Sequence, residues 1–207
     1  VEALRDQAAP ARYGIRAATP WGSRAAASQT ARYCQYAARC LSVSGGGGGR
    51  SSTTPGGVHE VADPSGGAVD EVEVAGAWEG LKSNPRAQLV DVRTRAEWTY
   101  VGIPDLGPLG KRAVLVEWQT FPDQSMDPRF TERLANELKA LGVQLEDDLF
   151  FICRSGSRSL AAAKAMAAAG YRACHNVACG FEGPLDDERH RGSLQGWKAI
   201  GLPWQQS

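Results

Sequence analysis

Hydrophobic and polar positions along the last two-thirds of the chain change period repeatedly, and the changes predict strands and helices in turn. Val69 to Val72 reads as a short strand, and Ala75-Gly76-Ala77-Trp78-Glu79-Gly80-Leu81 as a weak helix ended by Asn84-Pro85. Gln88-Leu89-Val90-Asp91-Val92 is a compact apolar run of strand type, bounded by charge. Thr94-Arg95-Ala96-Glu97-Trp98 reads as a helix start, with Thr94 as N-cap and Glu97 three residues on as its reciprocal partner. Arg93 and Glu97, four apart, would pair if that helix began early. Ala113 to Trp118 is the next predicted strand, followed by a loop from Phe121 to Pro128. Between Pro128 and Leu141, Phe130, Leu134, Leu138 and Leu141 recur at helical spacing, and Gly142 sits where a C-cap glycine belongs.

Asp148-Leu149-Phe150-Phe151-Ile152 is almost entirely apolar, which suits the middle of a parallel sheet covered on both faces. Ser159 to Ala169 carries mostly small side chains of high helix propensity, and Gly170 ends it. Tyr171 to Val177 gives a last strand, with a turn-rich return at Gly180-Phe181-Glu182-Gly183. Alternating strands and helices imply an α/β domain with a mostly parallel central sheet and right-handed crossovers. Ligands in such sheets sit at the carboxyl ends of strands. Cys153 is predicted at one.

Composition splits the chain in two. The 207 residues carry a formal net charge of +0, which argues against nucleic acid as a partner, but the charge is unevenly spread. Residues 1–59 hold seven arginines against Glu2 and Asp6, net +5, which leaves 60–207 at −5. This basic, Ala-, Ser- and Gly-rich stretch looks like an organellar leader, and mitochondrial localisation is the expectation, with chloroplast or bacterial cytoplasm as alternatives. Sequence upstream of the true start is the other reading, since the chain opens on Val1. The run from Ser44 to Gly57 reads as a flexible linker continuing through 60–69, so the globular domain is placed at 70–207 behind a largely irregular extension. No apolar run approaches the ~18 residues of a membrane span.

The chemistry concentrates in Cys153-Arg154-Ser155-Gly156-Ser157-Arg158. A thiol at a strand end and helix N-terminus, beside two arginines, is expected to ionise readily, because unpaired N–H groups and positive charge both favour the thiolate. Gly156 lets successive N–H groups turn inward as an anion nest. Cysteine-dependent phosphatases share the general pattern but place their arginine six positions after the cysteine. Here that position is Ser159 and the arginine arrives one residue sooner, a tighter cradle suited to one added sulfur atom.

The loop resembles the active-site loop of the rhodanese (thiosulfate sulfurtransferase) family, single-domain bacterial type. Leu89-Val90-Asp91-Val92-Arg93 with Glu97-Trp98, Asn176-Val177 before Gly180-Phe181-Glu182-Gly183, and Gly196-Trp197 with Gly201-Leu202-Pro203-Trp204 fit the same resemblance in order, over roughly residues 70–204. It implies a rhodanese-like three-layer fold and transfer of a sulfane sulfur through a persulfide on Cys153, with neither a metal nor a nucleotide cofactor. Arg154 and Arg158 would bind a small anionic donor, the backbone of Ser155, Gly156, Ser157 and Arg158 would cradle the persulfide, and a thiol or cyanide-like acceptor would remove it. The alternative is a non-enzymatic rhodanese-fold subunit of a larger organellar assembly, held through residues 1–59.

The remaining chemistry-bearing residues are expected to be structural. Asp91, Arg93 and Glu97 fix a turn; His59, His175 and His190 have no spacing for a triad or metal site; and the run Asp186 to Arg191 is a solvated loop. Five cysteines without Cys-x-x-Cys spacing argue against a disulfide framework and fit a reducing compartment. Cys174 is expected to be buried and inert, while Cys179 is a candidate to receive or resolve the sulfur. Trp98 and Trp118 are candidates to shape the donor site, and Asp123 and Asp127 are the aspartates open to a phosphatase-like acid role.

Overall fold

The computed structural model describes residues 69–206. Expectations that fall on residues 1–68, including the leader, the linker, Cys34, Cys40 and His59, lie outside them.

Five strands form the main sheet: β1 (Asp70–Val72), β2 (Gln88–Asp91), β4 (Val114–Leu115), β5 (Leu149–Ile152) and β6 (Cys174–Val177). Their spatial order is β1-β6-β5-β2-β4, and every neighbouring pair runs parallel. Two short strands, β3 (Ile103–Pro104) and β7 (Trp204–Gln205), pair antiparallel beside it. The connecting helices are α1 (Val74–Ser83), α2 (Arg95–Tyr100), α3 (Phe130–Ala140) and α4 (Ser157–Ala168).

β5 occupies the centre, and its side chains explain why. Leu149, Phe151 and Cys153 face one core, shared with Phe130, Leu134 and Leu138 of α3 and Ala162, Ala163 and Met166 of α4. Phe150 and Ile152 face the other, shared with Val74, Ala77 and Leu81 of α1 and with Phe181 and Trp197. An apolar strand with no polar face cannot sit at an edge, so helices cover both sides and the domain is three-layered. Alternation along β5 also decides where the thiol points: Cys153 continues the odd-numbered face, toward α3 and α4.

Several boundaries differ from expectation. The predicted strand Ala113–Trp118 keeps only β4 as regular strand, but Val116 and Trp118 N–H still donate to Asp91 and Val92 carbonyls along β2. Leu141 is the exposed C-cap of α3, so the buried stripe ends at Leu138. β6 begins at Cys174, and Tyr171 is buried in the core ahead of it. The helix after the cysteine loop begins at Ser157, two residues earlier than predicted, so Ser157 and Arg158 form its first turn.

The turn after β2 is built by charge. α2 starts at Arg95 behind a capping box in which Glu97 N–H donates to Thr94 Oγ1 and Thr94 N–H to Glu97 Oε2. Arg93 does not pair with Glu97. It turns back onto Asp91, with Nη2 at 2.6 Å from Oδ2, and donates to the Gly102 carbonyl at 2.8 Å. Both residues of this pair are fully buried, and the Arg93 guanidinium lies 4.0 Å above the Phe181 ring. The pair ties the β2 turn to the Gly180–Gly183 return, a positioning role.

Candidate functional site

β5 ends at Ile152 and Cys153 comes next, buried to 1% exposure. Two donors face its sulfur. Gly156 N–H points at Sγ from 3.1 Å, and Ser159 Oγ lies 3.3 Å away. Gly156 is the N-cap of α4 and has φ 104°, a left-handed conformation that turns its N–H back toward the thiol and that a side chain would strain. The first turn of α4 adds N–H groups without intrahelical acceptors. The thiol is therefore surrounded by hydrogen-bond donors on the side where α4 begins.

The loop is held from outside by the return. Phe181 N–H donates to the Cys153 carbonyl at 2.8 Å, and Glu182 and Gly183 N–H to the Arg154 carbonyl at 2.9 and 3.2 Å. That approach needs glycine at 180, since a Cβ there would collide with the Cys153 carbonyl oxygen. Satisfying these carbonyls outward leaves the loop N–H groups free to face inward.

The sequence marks Ser159 only as a helix residue, yet it sits fully buried against the sulfur. Its hydroxyl has one hydrogen and three acceptors in reach: Asn176 Oδ1 at 2.7 Å, the Gly156 carbonyl at 3.0 Å and Cys153 Sγ. Asn176 Nδ2 donates to Glu71 Oε1 at 3.1 Å, which turns Oδ1 toward Ser159. A chain of polar contacts thus runs from β1 through β6 to the thiol. With the hydrogen on Asn176, a serine lone pair can accept the S–H; when the sulfur is charged, the same hydroxyl can donate to it.

Arg158 is not a free cation. Its Nη1 and Nη2 donate to Glu97 Oε2 and Oε1 at 2.8 and 2.6 Å, a bidentate pair across 61 residues of sequence. Burial alone would raise the Glu97 pKa; the hydrogen bonds from Arg158 and Thr94 and the Arg158 charge reverse that and hold it at about 2. Burial likewise opposes the Arg158 charge, and Glu97 outweighs it, so the guanidinium is held more firmly than usual. Arg154, by contrast, is exposed and has no carboxylate in salt-bridge reach among the described residues. Ser155 is half-buried and Ser157 exposed.

A cavity of about 400 Å³ opens beside the loop. Ala96, Val101 and Phe121 give it apolar wall, and Arg154, Arg158 and Arg191 line the rest with Glu97 and Glu182. Arg191 corrects the expectation for the charged run Asp186–Arg191: Asp187, Glu188, Arg189 and His190 are exposed, but Arg191 is half-buried in this wall, where its Nη1 donates to the Gly183 carbonyl. Nothing in that run distinguishes Arg191 from Arg189, and only the path of the loop does.

The other candidates do not line the cavity. Trp98 and Trp118 do not line the cavity; Trp118 packs edge-on against Phe130 at 4.9 Å. His175 is half-buried, 3.1 Å from Asp148 Oδ1 and stacked on Phe150, and His190 is exposed. Burial pushes the Cys174 thiol up to about 12, and its sulfur faces the Tyr171 carbonyl. Cys179 is buried, left-handed at φ 62°, with its thiol donating to Gln195 Oε1 at 2.7 Å. Cys153 and Cys174 are free thiols. Asp123 accepts from Ser125 and Thr120, and Asp127 from the Arg129 N–H and Arg133, so both carboxyls lie below their ordinary pKa.

Comparison with known proteins agrees with this geometry. A family model described as the STR4 middle domain matches residues 70–207. An uncharacterized protein of Rickettsia conorii is 40% identical over 129 residues, 62% of this chain and 91% of its own length. The crystal structure of Rv0390 from M. tuberculosis is 45% identical, covers 67% of this chain and 98% of its own, and superposes with a TM-score of 0.60. The chloroplastic rhodanese-like domain-containing protein 4 of Arabidopsis thaliana is 27% identical over 128 residues, 62% of this chain and 24% of that protein. These relatives correct the expected mitochondrial localisation: the Rickettsia and M. tuberculosis proteins are bacterial, so the leader-like composition of residues 1–59 does not carry a mitochondrial assignment. With its parallel three-layer fold, its cysteine loop and a match from residue 70 to the last residue, the chain belongs to the rhodanese-like family, in the STR4 middle-domain group.

Proposed function

We propose that the protein is a sulfurtransferase in which Cys153 accepts a sulfane sulfur from a small anionic donor such as thiosulfate and passes it to a thiol or cyanide-like acceptor. The observation that carries this reading is the surroundings of Sγ: a backbone N–H and a hydroxyl aimed at one sulfur, at the C-terminal end of the central strand, beside a cavity with arginine in its wall.

The Cys153 thiolate attacks the outer sulfur of thiosulfate; a new S–S bond forms, the donor S–S bond breaks, and its electron pair leaves with sulfite. The donor anion meets Arg154 first, because Arg158 already holds Glu97. Arg158 keeps the first turn of α4 in place through that pair. The persulfide stands among the N–H groups of Ser155, Gly156, Ser157 and Arg158, whose donors offset its charge. An acceptor nucleophile then attacks the outer sulfur, and the electron pair of the broken bond returns to Cys153 Sγ.

Phosphoryl transfer is the competing use of a cysteine-and-arginine loop. It is disfavoured by the commitment of Arg158 to Glu97 and by the hydrogen bonds to Asp123 and Asp127, which favour their carboxylates over the protonated form a general acid requires. Both activities can be assayed on one preparation. Sulfur transfer from thiosulfate that Cys153→Ser abolishes, with negligible hydrolysis of an aryl phosphate, is the expected result. Aryl phosphate turnover that exceeds sulfur transfer, and that Cys153→Ser removes, overturns the reading.

A further inference from the structure

The Ser159 hydroxyl has a single hydrogen, and two oxygens compete with the sulfur for it. Asn176 Oδ1 at 2.7 Å takes that hydrogen, with the Gly156 carbonyl at 3.0 Å as the other oxygen acceptor. Cys153 Sγ, 3.3 Å away, then faces serine lone pairs, which accept from an S–H and repel a thiolate. A charged sulfur is served only when the hydrogen turns toward it, and that leaves Asn176 Oδ1 against a serine oxygen with no hydrogen between them. Turning the Asn176 amide over removes the conflict. Nδ2 then donates to Ser159 Oγ, and the hydroxyl donates to the sulfur.

Glu71 stands at the other end of that amide. It lies opposite Asn176 in the register of β1 on β6, exposed on the edge strand, whereas Asn176 is 1% exposed. A carboxylate only accepts, so its 3.1 Å contact selects Nδ2. The turned amide would set Oδ1 against Glu71 Oε1, two acceptors without a hydrogen. Glu71 and Ser159 are the side chains bonded to the amide, and Glu71 is the one that resists the turn.

Deepening the sulfurtransferase reading above, we propose that Glu71 is a positioning residue: through Asn176 it holds the Ser159 hydrogen on oxygen and so restrains ionisation of the Cys153 thiol. Glu71 is not part of the cavity lining, and its influence passes through one amide and one hydroxyl. Glu71→Gln keeps the shape of the side chain and offers either an acceptor or a donor, which opens both amide orientations. The other charges near this path are Arg154 and the Arg158–Glu97 pair beside the loop, and Asp70, Glu73 and His175 beside Glu71 in sequence or register. They are the same in every protein compared below.

Alkylation of Cys153 by iodoacetamide across a range of pH, followed by mass spectrometry on the peptide containing Cys153, reads the thiolate without a sulfur donor. Below the alkylation midpoint, Glu71→Gln should react about threefold to tenfold faster than the unmodified protein, the range of one hydrogen bond. The midpoint should move down by about half a pH unit to one unit. Removing a negative charge also favours a thiolate through space, so the same exchange is made in Ser159→Ala, where a positioning effect disappears and a through-space effect survives. Ultraviolet absorbance of the thiolate, taken as the difference from the matching Cys153→Ser protein, reads the same ionisation if the reagent reaches the buried sulfur slowly. A gain in Glu71→Gln that is lost in the Ser159→Ala background supports the proposal. Unchanged alkylation and absorbance, or an equal gain in both backgrounds, overturns it. Neither arm measures sulfur transfer, so the failure of this proposal and the failure of the sulfurtransferase reading are distinguishable.

Discussion

Cys153 and Cys174 belong to adjacent parallel strands, each about 1% exposed, yet their surroundings are opposite. Cys174 opens β6, where its thiol faces the Tyr171 carbonyl and an apolar core, and burial drives it up to about 12. Cys153 stands just past the end of β5, where Gly156 N–H and the Ser159 hydroxyl face it. The difference comes from strand polarity and from the helix terminus that adjoins each end of a strand. At the carboxyl edge of a parallel sheet the chain enters a helix N-terminus and presents N–H groups; at the amino edge it leaves a helix C-terminus and presents carbonyls. Equal burial therefore sets one sulfur against a carbonyl and an apolar core and the other against a backbone N–H and a hydroxyl.

The widest separation between the two sites is expected from removing each thiol. Cys153→Ser should reduce thiosulfate-dependent sulfur transfer to background. Cys174→Ser should retain turnover and lose about 1–2 kcal/mol of stability in urea unfolding, since it buries a hydroxyl where only one carbonyl is near. Loss of turnover in a well-folded Cys174→Ser would break the comparison.

The next effect concerns the pair that pins the helix beneath Cys153. Glu97→Gln leaves Arg158 half-buried without its counter-ion, and a loss of about 2–3 kcal/mol at neutral pH is expected, discounted for partial exposure. Its pH dependence has a definite sign. The folded carboxyl lies at about 2 against an ordinary 4.5, so the stabilisation is complete above 4.5 and is lost as pH falls through about 2. The stability difference between the unmodified protein and Glu97→Gln should shrink across that window. A difference that stays level there contradicts the assigned role of the pair.

A smaller effect is expected one contact further out. Ser159→Ala removes the hydroxyl beside Sγ while Gly156 N–H remains, and kcat/KM should fall about tenfold, the equivalent of one hydrogen bond of roughly 1.4 kcal/mol. Asn176→Ala should act in the same direction and more weakly, because it only frees the hydroxyl that Asn176 holds. Equal activity of all three proteins would mean that the hydroxyl contributes nothing and that the backbone alone distinguishes Cys153 from Cys174.

How legible each determinant is in the sequence depends on how local it is. The fully apolar run Leu149–Ile152 marks a strand covered on both faces, and Thr94 with Glu97 marks a capping box, because each pattern is decided within a few residues. The nucleophile and its glycine are legible for the same reason. Long-range pairings are not. The Glu97–Arg158 pair spans 61 residues and gives both partners a different role from the local one: Glu97 is a structural anchor for α4 as well as a cap, and Arg158 is only partly available to a donor. Ser159 reaches Glu71 only through Asn176, a contact that exists because β6 lies between β1 and β5. Arg191 sits in a charge run whose neighbours are exposed, and the fold alone selects it. The mitochondrial expectation failed for a different reason, since composition reports only what residues 1–59 are made of, whereas the Rickettsia and M. tuberculosis relatives are bacterial.

The central claim is that one sulfur among several buried ones carries the transferred atom. Incubating the protein with thiosulfate, trapping persulfides by alkylation and mapping them by peptide mass spectrometry tests it directly. One added sulfur on the peptide containing Cys153, absent from those containing Cys174 and Cys179 and lost in Cys153→Ser, is the predicted result. An added sulfur that resides on Cys179 or Cys174, or that persists in Cys153→Ser, contradicts it.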